Sequence, residues 1–533
     1  MKIDGIPFKQ TGYFSKIICD YLEEKTALAP FFNRFPKKEN FEAQIKEKGA
    51  NFSQKHRVVL ADALEKQNAK LALSDATQIN IRALRDEKTF TIVTGHQLNL
   101  FTGPLYFLFK IISTINLSKE LKKTYPNYNF VPIYWMATED HDFEEINYFN
   151  LNGKKIQWNK AASGGVGRLA TTGLEEVFEN LSAELGTSNN ATYLKNLFSE
   201  AYLKNDNLTD ATRYLANALF SEYGLVVVDG DDAALKQLLI PFITDDLFEN
   251  TSFSEVSKTI KNLNEISEDY KIQVNPREIN YFYLIDGVRE RIIEKSGVFY
   301  INDTKISFTK EAILVEINNH PERFSPNVVT RPLYQEVILP NLCYIGGGGE
   351  LAYWLELKGY FKAVNVTFPM LLLRNSALLI TEKQHDKLTK LGLSTAHIFL
   401  KQNALINKKI REISNIDIDF SSQKEQLKNQ FSFLFDLAEQ TDKSFLGAVK
   451  AQEVKQMKGL DHLEKRLLKA QKRKLKDHVV RITSIQNELF PNRSLQERQT
   501  NFSEFYLEYG DALLPELSSH LKPLSQDYII IVF

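Results

Sequence analysis

Three short polar segments carry the side chains with which this chain could do chemistry. They are Gly95-His96-Gln97, Glu139-Asp140-His141-Asp142 and Gly346-Gly347-Gly348-Gly349-Glu350. Each follows an apolar stretch rich in β-branched or aromatic residues, which predicts a buried strand. Because the carboxyl ends of parallel strands open on one crevice, we expect the three segments to face a single binding site.

The first segment suits a phosphate, although it matches neither the Walker A nor the G-x-G-x-x-G pattern. A glycine after a strand lets the backbone approach the ligand, and a helix expected near Pro104 offers free N–H donors and a partial positive charge. The candidate nucleotide-binding residues are Gly95, His96, Gln97 and Gly103. The alternative is a structural turn.

The second segment places four ionisable side chains after a strand expected to be buried on both faces. Charges are costly there, which favours a substrate role: holding an amine, ligating Mg²⁺, or general-base catalysis by His141. The candidate catalytic residues are His141, Asp140 and Glu139, with Asp142 and Trp135 as candidate substrate-binding residues. The alternative is a solvated turn whose acids cap a helix.

The third segment has no Cβ atoms to obstruct a planar ligand or a phosphate, so Gly346, Gly347, Gly348 and Gly349 are candidate nucleotide-binding residues. Packing alone is a weaker explanation, since four glycines are poor helix or strand material. The candidate substrate-binding residues that follow are Glu350, Tyr353 and Trp354, and the two aromatic rings are equally consistent with the core.

Three further polar residues lie near predicted strand or helix ends. A guanidinium can bind a phosphate or a carboxylate, so Arg374, which follows an apolar strand, is assigned to the nucleotide and Arg331 to the substrate. Asn327 is also assigned to the substrate. The sequence shows no paired Cys or His at zinc-ligand spacing and no G-x-S-x-G elbow. Zinc and serine-nucleophile chemistry are therefore not predicted.

Composition describes an ordinary globular chain of several domains. Of its 533 residues 43% are hydrophobic and 25% charged, and Lys+Arg 66 against Asp+Glu 67 leaves a net charge of -1. This balance argues against nucleic-acid or membrane binding as the main function. With only Cys19 and Cys343, no secretory signal and no apolar run long enough to span a membrane, we expect a soluble, cytoplasmic protein.

The pattern of elements predicts an α/β fold: a Rossmann-like core interrupted by insertions and followed by helices. An apolar stripe with few Gly or Pro, including Leu460, Leu467 and Leu475, predicts an antiparallel coiled coil whose lysines are solvated or, alternatively, bind nucleic acid. The predicted parts are an N-terminal helical layer (1–88), core segments (89–145, 223–262 and 321–379), insertions (146–222 and 263–320), a coiled coil (380–490) and a segment returning to the core (491–533).

Four segments together resemble the BshC family, whose proposed activity is that of the cysteine ligase in bacillithiol biosynthesis. They are TGHQLNLFTGPLYFLFK, PIYWMATEDHDFEEIN, SPNVVTRPLYQEVILPNLCYIGGGGELAYWLELK and LQERQTNF. The resemblance implies a core like that of class I aminoacyl-tRNA synthetases, connecting-peptide insertions and a coiled coil that forms a homodimer. His96 and Thr138 stand where the family usually has Gln and Gly, no Pro interrupts the glycines at 346–349, and HIGH and KMSKS motifs are absent.

The resemblance implies a reaction that joins the cysteine carboxyl to the glucosamine nitrogen of glucosaminyl-malate. A carboxylate must be activated before it condenses with an amine, so we expect ATP, with Mg²⁺ accompanying the nucleotide. Two rival hypotheses stay open: nucleotidyl or phosphoryl transfer to another amine-bearing metabolite, and a non-catalytic coiled-coil scaffold or nucleic-acid-binding protein.

Overall fold

A parallel five-stranded sheet forms the centre of the computed structural model, which describes residues 3–441 and 443–533. The core strands, first to fifth along the chain, are Thr89–His96, Asn129–Met136, Val226–Asp229, Asn341–Gly346 and Met370–Leu373. Their order across the sheet is 5-4-1-2-3, and all neighbours are parallel. This is the doubly wound order of Rossmann-like folds, in which ligands bind where the winding reverses, beside the first strand.

Apolar strands and covering helices explain why this sheet is buried. Every residue of the first core strand is buried, and Ile92, Val93, Val131 and Ile133 have no exposed surface. Burying each such side chain contributes about 1.5–3 kcal/mol. The helix Tyr106–Thr124 carries the chain back from the first strand to the second, which confirms the predicted βαβ unit.

Further helices cover the sheet or form the first insertion. The N-terminal helices are Phe8–Thr11, Lys16–Leu22, Phe41–Asn51, Gln54–Gln67 and Asp75–Ala83. The insertion after the second strand has the hairpin Tyr148–Leu151/Lys154–Gln157 and the helices Phe143–Ile146, Leu174–Leu185, Asn189–Phe198 and Leu208–Phe220. The later core helices are Ala233–Gln237, Ile240–Phe248, Thr251–Ile266, Arg331–Ile338, Gly348–Glu356 and Lys358–Ala363.

The second insertion is an antiparallel sheet, which we call the insertion sheet. In sheet order its strands are Ser307–Thr309, Val298–Ile301, Val288–Lys295, Tyr281–Ile285 and Phe324–Pro326, with the helix Lys310–Asn319 before the last. The strand Phe324–Pro326 lies beyond the predicted boundary at residue 320. Pairing with Tyr281–Ile285, rather than local sequence, attaches it to this sheet.

The C-terminal region is helical. Its helices are Glu382–Lys390, Thr395–Ile398, Gln402–Ile413, Ser421–Glu439, Lys443–Lys474, Lys476–Leu489, Phe502–Tyr509 and Leu513–His520. Lys424 pairs with Asp461 and Glu464, which makes Ser421–Glu439 and Lys443–Lys474 an antiparallel helical hairpin. No helix among the described residues is long and apolar enough to cross a membrane.

A small sheet joins the two ends of the chain. The strand Asp527–Val532 pairs in parallel with Ala377–Ile380 and antiparallel with Ile3–Pro7. The first 88 residues were expected to be mostly helical, and the strand Ile3–Pro7 is an exception that only this distant pairing creates. The predicted division of the chain into parts otherwise stays a prediction.

Candidate functional site

A cavity of about 740 Å³ opens at the switch point of the core sheet. One wall comes from the ends of the first, second and fourth core strands, and the facing wall comes from the insertion sheet. The volume lies in the range of small-molecule binding sites. The three polar segments identified in the sequence therefore do meet at one crevice.

Fourteen of the sequence-predicted residues line this cavity. They are Gly95, His96, Gln97, Trp135, Glu139, Asp140, His141, Asn327, Arg331, Gly347, Gly349, Glu350, Tyr353 and Arg374. Five predicted residues, Gly103, Asp142, Gly346, Gly348 and Trp354, are not among the lining residues. Gly95 and His96 are the last two residues of a strand rather than part of a loop.

Packing accounts for three of the five residues outside the cavity. Gly346 ends the fourth strand, where a Cβ would lie 2.9 Å from side-chain atoms of Leu351 and Tyr344. Gly348 faces Ile18 and Phe14 of the N-terminal layer. The Trp354 ring is fully buried against aromatic residues of the core, which is the alternative that the sequence left open.

The first segment does not present a helix N-terminus to the cavity. The Leu105 N–H, at the start of the helix Tyr106–Thr124, donates to the Thr500 carbonyl, and the Asn501 amide donates to the carbonyls of Phe101 and Gly103. Gly103 has a φ of 61°, a left-handed backbone conformation that glycine adopts more readily than other residues, so its backbone explains why a glycine stands there. Asp142 is an exposed residue before the short helix Phe143–Ile146 and makes no capping hydrogen bond.

The glycine-rich segment instead supplies the helix N-terminus at the cavity. The helix Gly348–Glu356 begins directly after the fourth strand, and both Gly347 and Gly349 line the cavity. Two buried polar atoms accompany it, Nε of Arg374 and Nε2 of His96, and neither has a hydrogen-bond partner within residues 3–441 and 443–533. An unpaired guanidinium N–H beside a helix N-terminus fits an anionic ligand such as a phosphate.

Arg374 is held rigidly behind this position. Its guanidinium donates to the Glu497 carboxylate at 2.7 Å, the Asn375 carbonyl at 2.9 Å and the Ser376 hydroxyl at 3.0 Å, and it lies over the Tyr106 ring. The side chain is 3% exposed. These contacts fix the direction of the free Nε–H.

Lys110 is a site residue that sequence reasoning missed. Its ammonium donates to the Gly95 carbonyl at 2.7 Å and lies 2.6 Å from the Glu350 carboxylate, which also accepts from the Tyr344 hydroxyl and the Gly347 N–H. Burial would raise the pKa of Glu350, but Lys110 and these hydrogen bonds lower it instead. A lone lysine in the apolar stretch FLFKIISTINL was the signal that could have identified it.

His96 is neutral in this environment. Burial holds its pKa well below the usual value, and the nearby charges of Lys110 and Arg374 add to the effect. The ring packs against Tyr106 and Phe107. His96 can therefore offer a hydrogen bond to a ligand without adding a charge.

The second polar segment, residues 139–142, is called the acidic segment below. Its first two carboxylates, Glu139 and Asp140, both have partners in the protein. The buried Lys236 ammonium pairs with Glu139 and donates to the Phe324 carbonyl of the insertion sheet. Burial raises the pKa of Glu139, opposed by Lys236. Burial would also raise the pKa of Asp140, yet hydrogen bonds from His141 and Gln97 lower it, so Asp140 is a carboxylate at neutral pH.

The cavity wall carries more positive than negative charge. Seven lining residues are Lys or Arg and three are Asp or Glu. Arg277, Arg291 and Arg498 are exposed, and none of them forms a salt bridge among the described residues. The first two belong to the second insertion, so tertiary packing brings them to a site formed by residues far away in sequence. A ligand with several negative charges would match this wall.

A buried carboxylate supports the loop that leads to Arg277. Glu356 accepts the N–H groups of Gln273 at 2.8 Å and Val274 at 3.3 Å and has no cationic partner in the described part of the chain. Burial raises the pKa of Glu356 to about 7. The folded protein thus retains a proton that the unfolded chain releases near pH 4.5, so this group favours folding most at low pH, and the benefit is lost as pH rises toward 7.

We therefore expect the variant Glu356→Gln to weaken the pH dependence of stability. Between pH 5 and pH 8 the wild type should lose up to roughly 3 kcal/mol more than the variant, because one pKa unit corresponds to about 1.36 kcal/mol. Thermal unfolding of both proteins at the two pH values measures this difference. Equal losses in the two proteins would contradict the assignment.

The doubly wound sheet defines a Rossmann-like protein, and the cavity at its switch point carries more positive than negative side chains. The models for "Bacillithiol biosynthesis BshC, N-terminal Rossmann-like domain" and "Bacillithiol biosynthesis BshC, C-terminal coiled-coil domain" match residues 1–375 and 377–533. The chain belongs to the BshC family. These matches confirm the predicted Rossmann-like core and C-terminal coiled coil.

Similarity to curated relatives extends over the whole chain. Proteins named "Putative cysteine ligase BshC" are 61% identical in Christiangramia forsetii (100% of this chain, 99% of the relative), 60% in Flavobacterium johnsoniae (100% and 100%) and 37% in Cytophaga hutchinsonii (98% and 97%). A structure titled as a putative arginyl t-RNA synthetase from Campylobacter jejuni aligns with 84% of this chain and 96% of its own. Its 9% identity and TM-score of 0.20 are too low to indicate a shared fold.

Proposed function

We propose that this chain is an ATP-dependent ligase that forms an amide between the carboxyl group of cysteine and the amine of glucosaminyl-malate. Relatives matched along their full length carry the name "Putative cysteine ligase BshC". The observation that carries the proposal is the unsatisfied buried Nε–H of Arg374 beside the N-terminus of Gly348–Glu356 at the switch point, in a cavity that the neutral His96 ring also lines. That arrangement suits the phosphates of a nucleotide.

The nucleotide side of the cavity consists of Gly95, His96, Gly347, Gly349 and Arg374. Gly347 and Gly349 let a phosphate approach the backbone, and Arg374 supplies a fixed charge. Mg²⁺ would enter with the nucleotide, because phosphate oxygens are its usual partners. Gly103, Gly346 and Gly348 have no part in this proposal.

The opposite side of the cavity suits the substrates. Asp140 is a carboxylate that can hold an amine, and Trp135, Arg331 and Tyr353, which contact one another in series, line the same cavity. The exposed Arg277 and Arg291 face the same space and match the carboxylates of a malyl group. The ammonium group of zwitterionic cysteine and the two carboxylates of glucosaminyl-malate would thus meet different parts of one wall.

The proposed reaction has two steps, and in the first of them ATP activates the cysteine carboxyl group. In its simplest form a carboxylate oxygen attacks the α-phosphorus and pyrophosphate leaves, which gives cysteinyl-adenylate. The unprotonated amine then attacks the carbonyl carbon, the bond from carbon to the phosphate oxygen breaks, AMP leaves, and the nitrogen releases one proton to water. Holding both reactants in one cavity supplies much of the rate, since it removes the entropy cost of their encounter.

Incubation of purified protein with ATP, cysteine and glucosaminyl-malate tests this function. We expect mass spectrometry to detect the cysteinyl amide together with AMP, and no amide when ATP is omitted. Absence of the amide across metals and pH values would refute the proposal. Adenylylated or phosphorylated glucosaminyl-malate without cysteine would favour nucleotidyl or phosphoryl transfer instead.

We also propose that the chain forms a homodimer through the helical hairpin and works in the cytoplasm. Phe433 is 71% exposed and Leu437 44% exposed on one helix of this hairpin, and such surface favours association. Cys19 and Cys343 are free, buried thiols, which fits a reducing compartment.

We expect the variant Phe433→Glu to shift the protein from dimer to monomer in sedimentation at micromolar concentration, because a carboxylate would be buried in the interface. The matched control is Val315→Glu, which changes a residue that is 59% exposed on the helix Lys310–Asn319. A monomeric wild type, or a dimer that both variants preserve, would contradict this proposal.

A further inference from the structure

An arginine of the insertion sheet contacts the histidine of the acidic segment. The Arg289 guanidinium lies 2.7 Å from Nδ1 of His141, although 148 positions separate the two residues in the chain. Arg289 is 9% exposed and also donates to the Ser325 hydroxyl at 3.1 Å and the Pro326 carbonyl at 3.3 Å. Its guanidinium stacks 4.2 Å from the centre of the Phe282 ring. Arg289 therefore has a single, well-supported position.

This contact determines which nitrogen of His141 carries the proton. A guanidinium has only donor N–H groups, so Nδ1 must accept and cannot be protonated. The imidazole is then neutral, with its hydrogen on Nε2. The ring lines the cavity and is half-exposed, and no hydrogen bond within residues 3–441 and 443–533 occupies Nε2.

The neighbouring carboxylate lies farther from Nδ1 than the Arg289 guanidinium does. Asp140 Oδ1 lies 3.6 Å from Nδ1, beyond hydrogen-bond distance, and accepts the His141 backbone N–H instead. Its second oxygen accepts from Gln97. The arrangement thus differs from a carboxylate–histidine pair, in which the acid would hold Nδ1–H and leave Nε2 free to take a proton.

We propose that Arg289 is a positioning residue that fixes His141 as a neutral Nε2–H donor to the carbonyl oxygen of the activated cysteinyl group. This inference rests on the proposed function and changes the expected role of His141 from general base to stabiliser of the negative charge on that oxygen. When the amine attacks, an electron pair moves onto the carbonyl oxygen, and it returns as AMP leaves. A donor aimed at that oxygen lowers the barrier without itself gaining or losing a proton.

Substitutions at His141 separate the two roles. A glutamine amide can place an N–H near the position of Nε2 but cannot act as a base. We expect His141→Gln to keep kcat within about tenfold of the wild type, and His141→Ala to lower it by roughly 100- to 1,000-fold, as loss of an oxyanion donor does. Equal losses in the two variants would overturn the inference.

A double-mutant cycle tests whether Arg289 acts through His141. Arg289→Met should lower kcat by roughly tenfold or more with His141 present and by less than roughly twofold in the His141→Gln background, where no tautomer needs fixing. Arg291→Met, on the same strand and without contact to His141, should have the same effect in both backgrounds. Equal effects of Arg289→Met in the two backgrounds would overturn the inference.

Nuclear magnetic resonance of ¹⁵N-histidine-labelled protein tests the same inference without any activity. Comparison with His141→Gln assigns the His141 signals, which should show protonation at Nε2 in the wild type and a changed tautomer distribution in Arg289→Met. An unchanged tautomer in that variant would refute the role of Arg289. Absence of the cysteinyl amide in the wild type would instead refute the proposed function.

Discussion

Replacement of Arg374 by methionine is expected to lower the rate of amide formation by roughly 100- to 1,000-fold, the effect of losing a fixed donor at a developing or bound negative charge. Two features cause the loss. The Nε–H that no protein group uses would no longer meet the nucleotide, and the positive charge behind Gly347 would be absent. Steady-state kinetics with ATP as the varied substrate measures the effect.

A second variant separates this loss from damage to the fold. Removing Arg374 leaves the buried Glu497 carboxylate without its cation, which is expected to destabilise the protein by roughly 3–5 kcal/mol. The double variant Arg374→Met/Glu497→Gln removes that charge while an oxygen at position 497 can still accept the Ala377 N–H. It should recover thermal stability but not activity, and recovered activity would show that Arg374 is only structural.

The second large effect is expected at Lys110. The variant Lys110→Met leaves the partly buried Glu350 carboxylate without its cation and the Gly95 carbonyl without a donor. We expect the free energy of unfolding to fall by roughly 1–3 kcal/mol. Amide formation by the folded protein should fall by roughly 100-fold, because an uncompensated carboxylate would repel the phosphates. Thermal unfolding and kinetics below the transition measure the two losses.

Lys48 provides a matched control for this variant. It forms a buried pair with Glu336 at 3.1 Å and does not line the cavity. Because both members of this pair are fully buried, Lys48→Met should cost at least as much stability as Lys110→Met but change the activity of the folded protein by less than roughly twofold. Equal losses of activity in Lys48→Met and Lys110→Met would assign the effect of Lys110 to stability alone.

Much of the site followed from local patterns in the sequence. Apolar, β-branched stretches identified the first, second and fourth core strands, and parallel strands bring their carboxyl ends together, so Gly95, Asp140 and Gly347 were expected to meet. The switch point lies beside the first strand because the chain winds in both directions from it. The sequence did not predict that order, because the same succession of strand–helix–strand units also forms the order 2-1-3-4-5.

Other features of the site depend on contacts between residues far apart in the chain, which a local sequence pattern does not predict. The position of Arg289 results from docking of the insertion sheet against the acidic segment, and the arginine was indistinguishable in sequence from other charged residues of VRERIIEK. The segment Thr500–Asn501 occupies the start of the helix Tyr106–Thr124, a contact across about four hundred positions that removed Gly103 from the site. Trp354 resembles a pocket residue in sequence, and only its burial shows that it belongs to the core.

The most direct test of carboxylate activation by ATP follows an oxygen atom. Purified protein is incubated with ATP, glucosaminyl-malate and cysteine that is labelled with ¹⁸O in both carboxylate oxygens. The masses of the products are then measured by mass spectrometry. We predict that each cysteinyl amide formed is accompanied by one AMP that carries one ¹⁸O atom, since that oxygen bridges carbon and phosphorus in the adenylate. Amide formation with label in neither AMP nor inorganic phosphate, or no amide at all, would contradict activation of cysteine by ATP.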